Sequence, residues 1–464
     1  MTLLIVTILI LGYFLIATER YTNVNKAAVA IFVGTLGWIL YICFGSDYVM
    51  GHHAADYTDF LAGAQSSSVE VKQFIAQNVF LKYVGKASEI VLFLLATMTI
   101  VEILQNNGCF DFLSQLLRTR NSKKMLWVVS ILTFLISANL DNLTTTVMML
   151  TIMHDVVYKQ RERALLGCAI VLSANCGGAL TVIGDSSGLV LWNMGAVTAT
   201  NFSAAMAVPC LIAWAVPVWW IGRRLPDRID TQMVVLPYRG DDTRLNVWQR
   251  LLMLFVGIGG LWFIPTFHNI TKLSPFLGAL CVLAVLWIVN EIVNRKLMNT
   301  DEKIQRRVPR ALQYGVIQMI LFVLGIMLAA GVATETGIAA HFSKYFDELL
   351  PNVFFMGLFA EVVSSVLDSF TTLMSMVTLH DVQTASGSAL TGLGNLAYLQ
   401  NGAYWKVVAY ASAVGGNVLC LGSMSGLALM KMERIRLGWY LKRVGWVALL
   451  ASTIGLCVIC ASVL

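Results

Sequence analysis

Two short motifs place an acidic side chain in the middle of a long apolar tract. The first, SANLDNLTTT, covers residues 137–146, and the second, SSVLDSFTT, covers residues 364–372. Each centres on an aspartate, Asp141 or Asp368, followed by threonines. A carboxylate inside a membrane is energetically costly, so it indicates an ion or proton pathway. The alternative is an acid at a helix end beside the lipid headgroups, and the recurrence of the motif favours the pathway.

The composition predicts an all-α polytopic membrane protein. Hydrophobic residues make up 58% of the 464 residues and charged residues only 12%, about half the charged fraction of a soluble protein. The cysteines lie almost all in apolar tracts and predict core residues, and the Cys457–Cys460 spacing has no second pair that would complete a metal site. No cofactor and no nucleic-acid partner are therefore expected. Met1 opens directly into an apolar run, which predicts a first span instead of a cleaved signal peptide.

Eight uninterrupted apolar tracts are long enough to cross a bilayer, namely residues 3–18, 27–45, 87–105, 204–221, 251–267, 274–293, 313–333 and 444–463. Four more are interrupted by Asn, Asp, Gly or Ser, namely residues 125–157, 164–203, 351–380 and 404–430. Between them, residues 46–86 predict an external loop with an amphipathic helix around 68–84. Residues 222–250 and 294–312 predict basic loops.

The distribution of positive charge sets the topology. Of the 32 lysines and arginines, 26 fall in five groups of loops, which the positive-inside rule places in the cytoplasm. Both ends of 125–157 then face the cytoplasm, while both ends of 351–380 face outward. Two re-entrant hairpins that enter from opposite faces predict an inverted-topology repeat with two broken helices and about eleven full spans.

An internal duplication supports this topology. Leu92 and Phe93 recur in the second half of the chain as Leu321 and Phe322, and Asp141 recurs as Asp368. The glycine-rich block from Gly177 to Leu191 recurs from Gly415 to Leu429. Three blocks in the same order and at nearly the same separation indicate a repeat.

The third block predicts a break in a membrane helix. Residues 175–188 read NCGGALTVIGDSSG, and Asp185 lies in this stretch where the second copy has Ser423. Carbonyls and helix ends freed by such a break can coordinate a cation. Carboxylate, amide and hydroxyl oxygens suit small hard cations. Carboxylates crowded in a low dielectric resist simultaneous ionisation, so the same acids can bind either protons or the metal ion.

The motifs contain a set of candidate ion and proton ligands, with a sodium ion expected at the three aspartates and no catalytic residues: Asp141, Asn142, Thr144, Thr145, Asn175, Asp185, Ser187, Asp368, Ser369, Ser423 and Ser425. About half of the Ser and Thr hydroxyls are expected only to bond to backbone carbonyls of their own helices. Glu102 is a candidate for the proton pathway, with an interfacial acid as its alternative role.

At these motifs the chain resembles the NhaD-type sodium/proton antiporters of the ion transporter superfamily. The resemblance covers about residues 87 to 445 and rests on Thr99–Glu102, Asp141–Thr146, Ser173–Gly178 with Ile183–Asp185, and the stretch from Tyr404 through Gly415–Gly416 to Gly426. It implies a homodimer in which a mobile transport domain moves against a scaffold domain in an elevator-like shift. On the matching positions it supports Glu102, Asp141, Asn142, Asn175, Asp185, Asp368, Ser423 and Ser425 as functional.

The sister family of sodium/dicarboxylate transporters is the main alternative, as a sodium-coupled anion symporter. That family carries Ser-Asn-Thr at each hairpin tip, whereas Asp141 and Asp368 stand at these tips. A carboxylate beside a docked anion costs several kcal/mol in a low dielectric, which disfavours this interpretation. Ser186–Gly188 and Ser369 also depart from the antiporter pattern, so sodium, lithium and potassium stay open as substrates. A membrane enzyme or a structural subunit lacks support, because no HExxH motif is present.

The sequence therefore predicts a secondary active sodium or lithium/proton antiporter, not an enzyme, in a bacterial inner membrane. Its partners would be these ions, protons, the lipid bilayer and a second copy of the chain. The predicted domains are an N-terminal scaffold at 1–86, transport repeats at 87–203 and 313–430, further scaffold at 204–312 and a C-terminal span at 431–464.

Overall fold

The computed structural model describes residues 2–22, 24–62, 65–117, 119–230, 245–294, 314–383 and 396–463. These residues are helical apart from short connections, and they contain no β-strand, which confirms the all-α class. Parts of the predicted basic loops and of the outer segment, namely residues 231–244, 295–313 and 384–395, lie outside the described residues.

The N-terminal part of the chain forms seven helices, α1 (Thr2–Ala17), α2 (Glu19–Thr22), α3 (Lys26–Cys43), α4 (Ser46–His52), α5 (Ala54–Leu61), α6 (Ser68–Phe74) and α7 (Leu81–Asn106). A π-helical segment, Ile75–Phe80, joins α6 to α7 in one continuous helix. The stretch 46–86 is therefore mostly helical, and its C-terminal part is continuous with a span. The predicted helix around 68–84 is present as part of this continuous helix. The segment before it, predicted as a loop, is mostly helical, because small residues such as Ala and Ser do not by themselves end a helix.

The first repeat continues with six helices, α8 (Asp111–Leu116), α9 (Ser122–Ser137), α10 (Asn142–Val156), α11 (Gln160–Leu180), α12 (Ser186–Asn193) and α13 (Ala199–Gly222). The pair α9 and α10 makes the first predicted hairpin. The pair α11 and α12 makes the first broken helix.

A separate helical pair lies between the repeats, made of α14 (Val247–Leu254), a π-helical segment (Phe255–Gly259), α15 (Gly260–Thr271) and α16 (Pro275–Val293). The second repeat consists of α17 (Tyr314–Glu335), α18 (Ile338–Leu349), α19 (Val353–Val366), α20 (Ser369–Val377), α21 (Ala403–Leu419), α22 (Met424–Glu433), α23 (Leu437–Tyr440), a π-helical segment (Leu441–Gly445) and α24 (Trp446–Val463).

Nine helices among the described residues are long and apolar enough to cross a membrane, or ten if the bent pair α18 and α19 counts as one span. Helix α1 is apolar but shorter. The most apolar stretch of α11 is 89% buried, against 22% for that of Val247–Thr271. The chain is a multi-pass membrane protein, and the first broken helix is covered by other parts of the protein.

The chain divides into two compact units. The first consists of residues 1–91, 314–352 and 373–381. Within it α3 packs closely on α17, because Gly34 and Gly325 let the two backbones approach, as small residues do at membrane helix crossings. Trp38 donates a hydrogen bond from Nε1 to the Leu328 carbonyl at 3.0 Å.

The second unit consists of residues 92–313, 353–372 and 382–464. In it each hairpin arm packs on a broken helix, α9 on α11 and α19 on α21, and α13 packs on the C-terminal α24. The helices α13 and α24 stand at equivalent places in the two copies, because the alignment that pairs Gly177 with Gly415 also carries Ala199–Gly222 onto residues 437–460. The repeat therefore extends one helix beyond the motifs that reveal it.

Candidate functional site

The first hairpin turns at residues 138–141, and Asp141 begins its second arm. The Asp141 carboxylate caps α10: its Oδ2 accepts hydrogen bonds from the backbone amides of Leu143 and Thr144, each at 3.1 Å, and from Thr144 Oγ1 at 3.3 Å. Its Oδ1 is buried and has no hydrogen-bond partner among the described residues. One oxygen thus positions the side chain, and the other is available for a ligand.

The first broken helix ends α11 at Leu180 and restarts as α12 at Ser186, with Asp185 at the join. Thr181 stabilises the break, because its hydroxyl donates to the Ala138 carbonyl of the hairpin at 2.5 Å and accepts the Gly184 amide at 3.0 Å. Across the same gap Asn142 donates from Nδ2 to Asp185 Oδ1 at 3.4 Å. The break and the hairpin tip therefore form one site.

Glycines allow this close approach. A side chain on Gly177 would collide with the Phe134 carbonyl, and one on Gly184 would lie 2.7 Å from the Ser137 carbonyl. Ser137 fastens the arm to α11, since its hydroxyl donates to the Ala174 carbonyl at 2.7 Å.

The second repeat reproduces these contacts. Gly415 lies against the Glu361 backbone, and Gly422 against the Ser364 carbonyl. The Ser364 hydroxyl donates to the Ser412 carbonyl at 2.5 Å, as Ser137 does to Ala174. The two copies of the repeat therefore share these packing contacts and hydrogen bonds as well as their residue types.

The two broken helices meet through a pair of amides. Asn175 donates from Nδ2 to Asn417 Oδ1 at 2.8 Å, and both side chains are buried. Asn175 lies two residues before the pair Gly177–Gly178, and Asn417 directly follows the pair Gly415–Gly416. A hydrogen bond between buried amides fixes where the two helices cross.

The three predicted aspartates are buried, and Asp185 interacts electrostatically with both Asp141 and Asp368. Asp185 Oδ2, like Asp141 Oδ1, lacks a hydrogen-bond partner in the described part of the chain. No three His, Cys, Asp or Glu side chains converge closely enough there to hold one metal ion. The residues fit a small cation held by one or two carboxylates together with neutral oxygens.

The other predicted residues lie around this arrangement. Thr145, Asn175 and Ser425 each carry a buried oxygen without a hydrogen-bond partner among the described residues. Ser187 is buried at the start of α12 and Ser369 at the start of α20. Ser423 caps α22, because its Oγ accepts the Gly426 amide at 3.0 Å. Glu102 is buried in α7.

Sequence reasoning did not select three residues that shape the site. Ser137 and Ser364 fasten the hairpins, and Thr181 holds the first break. The two serines stand four residues before the two aspartates in each motif, so the repeat itself carried a signal for them. The position equivalent to Thr181 is Leu419, so symmetry gave no sign of its role.

The sequence matches the family described as citrate transporter over residues 13–415. The chain belongs to the CitMHS family. The family is described by transport, so membership indicates a transporter rather than an enzyme. The matched region covers most of the chain and contains both aspartate motifs.

Individual relatives of this CitMHS protein carry antiporter names. It is 26% identical over 451 residues to Sodium/proton antiporter 2 of Arabidopsis thaliana, with 96% of each chain covered. It is 25% identical to the Na(+)/H(+) antiporter NhaD of Vibrio cholerae, covering 90% of this chain and 83% of that protein. These relatives confirm the resemblance to NhaD-type antiporters.

Sodium/proton antiporter 1 of Arabidopsis thaliana is 31% identical over 379 residues, which are 80% of this chain. The chain spans 61% of the length of that relative.

Proposed function

We propose that the protein is a secondary active antiporter that exchanges sodium or lithium for protons. The observation that carries the proposal is the hydrogen bond from Asn142 Nδ2 to Asp185 Oδ1, which joins the first helix break to the hairpin tip where Asp141 is buried. The antiporter names of the relatives support the same assignment.

The chemistry follows from competition for the same oxygens. Two carboxylates near each other in a low dielectric are stable when a proton or a cation reduces their joint charge. A sodium ion between Asp141 and Asp185 does so, and its binding releases the proton. When the ion leaves, a proton returns, so exchange needs no separate coupling device.

The remaining ligands complete the shell with neutral oxygens. Asn142 orients Asp185 through the hydrogen bond between hairpin and break, while Thr144 orients Asp141. The unpartnered oxygens of Thr145, Asn175 and Ser425 can accept a cation. Asp368 and Ser369 supply the oxygens of the second hairpin, and Ser187 supplies one at the first helix restart. Ser423, at the second restart, caps α22 instead. Glu102 serves proton entry.

We further propose an elevator-type movement of residues 87–203 and 313–430 against a scaffold of 1–86, 204–312 and 431–464. The protein would act as a homodimer in a bacterial inner membrane. The exposed apolar side chains of the helix pair between the repeats, such as Trp248 and Trp262, support a place for this pair against lipid or a second copy.

A sodium-coupled carboxylate symporter is the second candidate, because the family is described by citrate transport. The site disfavours it. An anion at the hairpin tips would face Asp141, Asp185 and Asp368, and like charges repel strongly in a low dielectric.

The test uses the purified protein in liposomes that contain a trapped pH-sensitive dye. Addition of NaCl or LiCl should move protons, whereas KCl is the comparison that defines selectivity. In Asp141→Asn this response should disappear, while Asp155→Asn, the same change at the exposed end of α10, should keep it. Uptake of labelled citrate or succinate driven by sodium, without proton movement on cation addition, would replace the antiporter with the symporter.

A further inference from the structure

A fourth buried acid lies outside the proposed ion site. Glu361 in α19 is only 2% exposed. The Ser452 hydroxyl of α24 donates a hydrogen bond to its Oε1. Its Oε2 is buried without a hydrogen-bond partner in the described part of the chain. No described lysine, arginine or histidine forms an ion pair with it.

The surroundings of this carboxyl are apolar with few polar groups. Helices α21 and α24 pack against α19. Tyr410 of α21 is the titratable group that interacts with Glu361, and it also interacts with Cys176 and Cys210. The Tyr410 hydroxyl donates to the Ser452 carbonyl at 3.0 Å, which holds Ser452 in place. A buried carboxyl without a cation is stable in its protonated form.

The helix register connects Glu361 to the ion site. Ser364 and Ser365 follow Glu361 by three and four residues, which places these side chains on the same side of α19. At 1.5 Å per residue, Glu361 lies about 8 Å along α19 from Val366, where the helix ends two residues before Asp368. It therefore stands between Asp368 and the membrane surface at which α19 begins.

The first repeat has no such acid. The position equivalent to Glu361 is Phe134, whose ring lies 4.9 Å from that of Trp214. Trp214 is in turn the equivalent of Ser452, in the alignment that pairs Gly177 with Gly415. An aromatic pair in one copy is thus replaced by an acid and a hydroxyl in the other. Packing alone does not require this replacement, because the aromatic pair fills the same place.

We propose that Glu361 is a proton-binding relay of the transport cycle, positioned by Ser452. The Glu361 carboxylic acid first gives its proton to water at the membrane surface. The carboxylate that remains then accepts the proton that sodium binding releases at the ion site, which restores the acid. Ser365, one helical turn from Glu361, or a water molecule carries the proton across the gap. This inference rests on the proposed sodium/proton antiport.

The experiment separates proton steps from ion steps in the full-length protein in liposomes. Sodium/proton exchange is measured with the trapped pH dye, and sodium/sodium exchange is measured with radioactive sodium on both sides. A relay is needed only for the first reaction. In Glu361→Gln the sodium/proton rate should fall at least about tenfold, while the sodium/sodium rate stays within about twofold of the wild type.

Each outcome decides a different question. If wild-type protein moves no protons on sodium addition, the proposed antiport fails before the relay is tested. If Glu361→Gln keeps both reactions, or loses both equally while remaining monodisperse and folded, the relay is wrong.

A second variant covers the case in which Glu361→Gln does not fold. Ser452→Ala keeps the acid and removes the donor that stabilises its charged form. The pH of half-maximal sodium/proton exchange should then move to a higher value, with sodium/sodium exchange unchanged. An unchanged pH profile in Ser452→Ala contradicts the positioning role.

Discussion

The two helix breaks share their backbone construction and differ in chemistry. In both, a glycine pair lies against a hairpin arm, and a hydroxyl from that arm bonds to the broken helix. At the restart, however, Ser423 caps its own helix, whereas Asp185 directs an oxygen to Asn142 of the facing hairpin. The two copies share this backbone arrangement, and one difference in sequence places the proposed ligand Asp185 in the first copy where the second copy has the helix cap Ser423.

The largest difference expected between the breaks follows from this contrast. Replacement of Asp185 by Asn removes a charged ligand but keeps the size of the side chain. We expect exchange to fall about a hundredfold or more, which corresponds to ~3 kcal/mol. The measurement is the initial rate of sodium-driven proton movement in liposomes.

The matched variant at the second break is Ser423→Ala. It should leave the exchange rate within about threefold of the wild type, while the free energy of unfolding falls by ~1 kcal/mol because a helix cap is removed. Loss of exchange comparable to that of Asp185→Asn would make Ser423 a ligand and remove the asymmetry.

The shared frame is tested by Gly184→Ala. The new methyl carbon would stand 2.7 Å from the Ser137 carbonyl and 2.8 Å from the Gly178 carbonyl, so the hairpin and the break must separate. A loss of ~3 kcal/mol in the free energy of unfolding is expected, measured by chemical denaturation in detergent. Gly438→Ala meets open space in α23 and should keep or raise the stability; equal losses in both variants would show that close packing at the break is unimportant.

The contact between the repeats is tested by Asn175→Ala, Asn417→Ala and the double variant. Removal of the amide pair should cost ~1 kcal/mol of unfolding free energy. The double variant should lose little more than either single one, because the two side chains act through one bond. Fully additive losses would indicate that the asparagines act independently.

The smallest expected effect on stability comes from an ion pair at the short connection after the first hairpin. Lys159 Nζ lies 2.6 Å from an Asp230 carboxylate oxygen. This contact raises the pKa of Lys159 and lowers the pKa of Asp230. The contact contributes its full stabilisation of the fold between about pH 3.8 and pH 10.5, which are the ordinary pKa values of Asp and Lys. It is lost as the pH falls through the lowered pKa of Asp230 or rises through the raised pKa of Lys159.

Asp230→Asn should therefore lower the melting temperature slightly at neutral pH, and the difference from the wild type should vanish at strongly acidic pH. High salt should also remove it, since both groups are exposed to solvent and salt screens exposed charges. A difference that persists under both conditions would mean that Asp230 acts through packing.

Much of this comparison could be predicted from the sequence, because apolar tracts, glycine pairs and repeated aspartates are local signals. The helix breaks and hairpins lie where the motifs place them. The capping role of Ser423 and the hydrogen bond from Asn142 to Asp185 could not be predicted, because they depend on side-chain directions across a gap. The continuous helix from α6 into α7 was also missed, because polar and small residues continue a helix as readily as they form a loop.

The hydrogen bond from Asn175 to Asn417 has a consequence for the energetics of transport. It ties the two broken helices together at their crossing, so in the proposed antiporter they would move as one body. An ion site that moves without being rebuilt has the same affinity in both orientations. Half-saturation of exchange would then need the same sodium concentration on either side of the membrane.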